Sequence, residues 1–148
     1  SDSQRVVTTA IHFRDEPINP AKFMRNPFLQ IFDSEGFHVS VLHRGYGGYY
    51  PVRGQLEKCA SDTFELVKEV DGTEDYRITS EHWRREYKKA FFTNPTFTNA
   101  LMGHFLKKPV HTLWTTASFG FRSWPWQFRG EHPRTILLRQ TWKRKPKT

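Results

Sequence analysis

Cysteine is almost absent: Cys59 is the sole one. That excludes an internal disulfide framework and any cysteine-based zinc site within the chain. A lone thiol suits a reducing compartment or the mitochondrial matrix. Long apolar runs are also missing, with nothing near the roughly 20 consecutive residues that a membrane-spanning helix needs. The stretch after Ser1 holds no apolar core of a secretory signal. Starting without methionine suits a processed or trimmed chain, such as one that has lost a matrix-targeting leader. Aliphatic content is low too, since the apolar share of 36% falls below the roughly 45–50% of ordinary domains.

Catalytic motifs are equally sparse. The one glycine cluster, Gly45-Tyr-Gly-Gly48, lacks both phosphate-loop spacing and a following helix, and Pro51 points to a tight turn. Seven histidines are scattered. His38 and His43 would fall on opposite faces of a strand, and no pair has the spacing of helical metal ligands. GxSxG is absent, and Cys59 lies in the polar stretch Glu57–Asp62. Glu65 and Glu69 read as a solvated face. These absences predict no enzyme, no catalytic residue, no metal and no cofactor.

What is abundant is aromatic and basic. Thirteen Phe, five Trp and five Tyr make up 16% of 148 residues, and net charge is +8. Large flat side chains suit a small core and docking interfaces. A positive balance suits an acidic protein surface, a nucleic acid or an anionic membrane. Residues 14–28 hold three prolines and read as an extended arm. Phe28–Phe32 and Phe37–His43 read as a hairpin, followed by a short strand at Tyr49–Arg53. Thr63–Val70 reads as a further strand closed by Asp71-Gly72. Trp83, Tyr87 and Phe91 recur every four residues in a helix capped by Thr79 or Ser80. Phe97, Leu101 and Phe105 mark a second helix after Asn94-Pro95. Past Pro109 the chain reads as irregular, ending in the run Thr135–Trp142. The expected fold is α+β: a small antiparallel sheet with one or two helices and long irregular arms. Residues 1–27 form the first arm, 28–108 the core and 109–148 the second arm.

Partner-binding candidates follow from the same pattern. Trp83, Tyr87, Trp114, Trp124 and Trp126 are the expected anchors. Arg84, Arg85, Lys88, Arg122, Arg129, Lys143, Arg144 and Lys145 are the expected electrostatic contacts. Arginines interleaved with aromatics also suit base stacking, so ribosomal RNA is an alternative partner.

Four pieces also occur in the order of a known family. His38–His43 leads into Gly45-Tyr-Gly-Gly-Tyr-Tyr-Pro51, then comes Ile78–Tyr87 with its tryptophan, then Leu113–Phe121. This resembles the mimitin-type small accessory subunits of respiratory complex I. The resemblance implies a non-catalytic subunit along the matrix arm of that assembly, contacting other protein subunits and binding no cofactor. The resulting expectation is a structural accessory subunit of a mitochondrial respiratory complex. A mitochondrial ribosomal protein on ribosomal RNA is the alternative.

Overall fold

A computed structural model describes residues 5–121 and 126–146. In chain order they form β1 (Arg5–Phe13), α1 (Pro20–Met24), α2 (Pro27–Phe32) and α3 (Ser34–Ser40). A wider π-helical turn, Val41–Tyr46, continues α3. Then come α4 (Gln55–Ala60), β2 (Phe64–Asp71), α5 (Thr73–Thr93), α6 (Pro95–Lys107), α7 (Pro109–Thr116) and β3 (Thr135–Arg144).

Three of these helices start on the same dipeptide. Asn19-Pro20, Asn26-Pro27 and Asn94-Pro95 each place asparagine at the N-cap and proline at the first helical position. Each asparagine side chain accepts a backbone N–H that the first turn leaves unpaired, and proline needs no such partner. Asp33 caps α3 in the same way, accepting from the Gly36 N–H at 2.7 Å. These caps turn the expected hairpin at 28–43 into α2 and α3. Gly36 to Ser40 are all buried, so α3 shows little solvent face, and the alternation of Phe37, Val39 and Val41 imitates a strand.

The sheet has the order β1-β3-β2. β3 runs antiparallel to both neighbours, so β1 and β2 are parallel to each other. Parallel strands need a helical crossover, and α1 to α4 supply it. β3 then inserts between them, with Thr135 to Leu138 all buried. Arg5 faces Lys143, and the register runs to Phe13 opposite Thr135. A bulge between Leu66 and Lys68 shifts the β2 side.

The expectation of long irregular arms is therefore corrected. Both supposed arms contribute strands, and those strands pair with each other across almost the whole chain. The expectation of one or two helices is corrected as well, since helices occupy the crossover, the run after β2 and the stretch past Pro109. The α+β class stands. Phe13, Ile18, Phe23, Val39 and Leu42 form the core under this crossover, with Leu29, Tyr50 and Val52 packed on it.

Candidate functional site

In open sheets with parallel strands, ligands gather outside the carboxyl ends of those strands. Here β1 ends at Phe13 and β2 at Asp71, on the same side. Segment 51–53 pairs with the end of β1: the Phe13 N–H donates to the Pro51 carbonyl at 2.8 Å, and the Arg53 N–H donates to the Phe13 carbonyl at 3.0 Å.

The register places His12, Leu138, Gln140, Glu69 and Asp71 on one face of the sheet. A polar floor results. Gln140 Nε2 donates to Glu69 at 2.9 Å, and Arg53 pairs with the other Glu69 oxygen at 2.8 Å. Asp71 accepts from the Thr73 amide at 2.8 Å and from its hydroxyl. Burial would raise the Asp71 pKa, but these two hydrogen bonds and the charges of Arg14 and Arg53 hold it below its ordinary value. Thr73 Oγ1 in turn accepts from the Leu137 amide at 3.0 Å, which fixes the start of α5 against β3.

Two polar atoms of this floor have no hydrogen-bond partner among the described residues, His12 Nε2 and Gln140 Oε1. His12 is 1% exposed, and its Nδ1 lies 3.0 Å from the Ala10 carbonyl. That contact assigns the proton to Nδ1 and leaves the Nε2 lone pair free. Burial lowers the His12 pKa, opposed by the Ala10 contact and the Glu69 charge. A neutral imidazole with a free lone pair can accept a proton or a donor.

A ladder of rings stands on the opposite face of the sheet, where Phe13 points. Phe13, Tyr50, His38 and Trp126 follow one another at centroid separations of 5.5, 6.1 and 5.6 Å. Burial lowers the His38 pKa to about 4, and neither of its nitrogens has a partner among the described residues. Histidines were expected to be superficial or hydrogen-bonded rather than ligands; His12 is buried yet keeps its bond to the Ala10 carbonyl, whereas His38 is buried with no partner among the described residues. The signal was present in the sequence as histidines flanked by apolar residues on both sides.

An apolar cleft of about 250 Å³ opens between the helices after β2. Phe91 of α5, Leu101 and Phe105 of α6, and Thr112 and Leu113 of α7 line it. A second cleft of about 370 Å³ lies between α4 and the far end of the sheet, lined by Leu56, Cys59 and Trp142. No group of three or more His, Cys, Asp or Glu able to hold a metal occurs among the described residues.

The expected anchors do not gather on one surface. Trp83 packs edge-on against Tyr76 at 5.7 Å. The Tyr87 hydroxyl donates to Thr116 at 3.1 Å, and Trp114 leans on Phe37 at 5.4 Å. Arg84 and Arg129 both pair with Glu81, whose role the sequence reading missed. Lys145 is fastened to the turn before β2, its Nζ donating to the Ser61 carbonyl at 2.6 Å. Arg85 and Lys143 are exposed, Lys88 is half-buried and Arg144 is exposed. Arg122 and Trp124 lie outside the described residues.

No protein-family profile matches the chain. No curated protein matches it either. Among solved structures, it is similar to the crystal structure of mycolic acid cyclopropane synthase CmaA1 complexed with SAH and CTAB. The likeness has a TM-score of 0.53 at 13% identity, and it covers 98% of this chain and 45% of that one. The chain thus spans less than half the length of the protein it matches. At this identity what is shared is the fold.

This finding corrects two expectations. The chain was read as a non-catalytic accessory subunit, or alternatively as a ribosomal protein, and as no enzyme. Nearly all of it instead follows the fold of a catalytic protein. The sequence misled because its aromatics and cations fit docking chemistry, whereas the structure turns several of them to internal packing and ion pairs. Among the described residues no helix is long and apolar enough to cross a membrane.

Proposed function

We propose that this chain is the substrate-side half of a methyltransferase-like catalytic domain whose substrate carries a long apolar chain. One observation carries the reading: a sheet with β3 inserted antiparallel between parallel strands, matched over 98% of the chain to a cyclopropane synthase. That synthase is complexed with SAH, the demethylated form of a methyl donor, and with CTAB, a long-chain amphiphile.

The residues described do not fit the donor itself. Gly72 sits at a strand-to-helix turn, but the space beside it holds the Arg139 guanidinium, 3.2 Å from where a Cβ would stand. Holding the donor therefore falls to chain beyond these residues. What this half supplies is the apolar cleft for the substrate chain.

Titration with CTAB below its micelle concentration and with palmitate, followed by tryptophan fluorescence, tests the cleft. Saturable binding is expected, weakened at least about tenfold by Leu101→Trp, which fills the cleft. Equal binding by the variant, or none by the parent, would discard the substrate assignment. S-adenosylmethionine should give no heat of binding with this chain alone, and tight binding would place a donor site within these residues.

A further inference from the structure

The hairpin of α6 and α7 shows its least polar side to solvent. Met102 and Leu106 are 54% and 77% exposed and lie one helical turn apart on α6. Val110 and Leu113 are 58% and 60% exposed on one stripe of α7. Met102 and Leu113 also line the apolar cleft, so the two stripes flank its opening. Phe92, 73% exposed, stands beside Phe91 of the same cleft. An exposed apolar patch of this extent marks a protein or membrane contact.

Charge decides between those partners. Between Glu86 and Glu131 there is no aspartate or glutamate, while Lys88, Lys89, Lys107, Lys108, Arg122 and Arg129 fall in that stretch. Lys107 and Lys108 stand at the tip of the hairpin, between Leu106 and Val110, and both are exposed. A protein interface is complementary through charges of both signs, whereas a bilayer with anionic headgroups presents one sign over its whole area. We propose that the α6–α7 hairpin docks onto an anionic lipid bilayer. Leu106, Val110, Met102 and Leu113 enter the acyl boundary, and Lys107, Lys108 and Lys89 meet headgroup phosphates. The cleft then opens directly into the lipid.

The test is co-sedimentation of the whole chain with phosphatidylcholine vesicles and with vesicles that also contain phosphatidylglycerol. Binding is expected on the anionic vesicles alone and should fall with added salt. A lysine near an anionic surface is worth about fivefold in partition, so Lys107→Gln with Lys108→Gln should lower binding about twenty-five-fold. Leu106→Ser with Val110→Ser should lower it about tenfold. Lys143→Gln with Arg144→Gln, at the far end of the sheet, should leave it unchanged. Far-UV circular dichroism checks folding, and should the apolar pair unfold, the lysine pair decides. Undiminished binding by the lysine pair, or loss in the Lys143/Arg144 pair instead, overturns the proposal. Monomerisation of a self-associating parent by the apolar pair, with no vesicle effect, assigns the face to a second copy. No methyl donor is present in this assay, so its failure leaves the methyl-transfer reading standing, and the reverse holds.

Discussion

His38 has a calculable cost at low pH. Its imidazole is 1% exposed between Tyr50 and Trp126, and burial lowers its pKa to about 4 against an ordinary value of 6.5. The unfolded chain therefore binds a proton between those values and the folded chain does not. Stability rises with pH across this window, by about one proton's slope, and the difference accumulates to about 3 kcal/mol. Urea unfolding from pH 4 to 7 should show this slope, and His38→Leu should remove most of it. His12, shifted in the same direction, adds to the slope, as do the depressed carboxyls of Asp71 and Glu81 near pH 4. Gly36 sets a steric limit nearby. A Cβ there would lie 2.3 Å from the Leu29 carbonyl oxygen and 2.7 Å from Phe23 Cδ1, so Gly36→Ala should cost about 1–3 kcal/mol by thermal melting. Little of this was legible in advance. A histidine in an apolar run reads equally as a strand residue facing solvent, and a glycine before a phenylalanine reads as a turn. Trp126 was singled out as a partner-binding anchor, but sequence spacing does not say that its ring packs on His38 of its own chain.

At the scale of elements, legibility depended on whether the two faces of an element differ. β2 and α6 stand within a residue or two of their expected bounds, because Phe64–Asp71 and Pro95–Lys107 each have one covered side. α3 was misread because it is buried all round, so period alone does not separate it from a strand. α5 starts at Thr73, seven residues before Ser80, and Ser80 is a buried interior position whose hydroxyl donates to the Arg77 carbonyl at 2.9 Å. The Asn-Pro pairs were the missed signal. At Asn94-Pro95 the pair was taken as a helix start, whereas at Asn19 and Asn26 the prolines were taken as marks of an extended arm. The cap has a measurable weight. Asn94 Oδ1 accepts from the Phe97 amide at 3.1 Å, so Asn94→Ala should lower stability by about 1 kcal/mol and Asn94→Ser by much less. A loss under about 0.3 kcal/mol would mean that Pro95 alone sets the start of α6.

For the whole molecule, the decisive fact is that its two ends meet. β1 and β3 are separated by more than a hundred residues of sequence, and no local pattern announces such a pairing; contacts this distant carry a loop-closure cost that local propensity does not encode. Their composition was instead read as two arms. The same pairing leaves an exposed flank. Among the described residues β1 pairs with β3 on one side, while segment 51–53 covers its other side only at Phe13. Val6 and Val7 are 42% and 68% exposed near the far end. A free edge bearing exposed valines is a template for further strands. Among the described residues nothing further covers this edge. Purified alone, the chain should therefore self-associate with concentration, read as light scattering that grows with time. Val7→Lys puts a charge on that edge, while substituting an exposed side chain shifts the melting free energy by no more than about 0.5 kcal/mol. Scattering should fall markedly in this variant with the melt unchanged. If it does not fall, the association runs through another surface, and the apolar hairpin of α6 and α7 becomes the one to charge next.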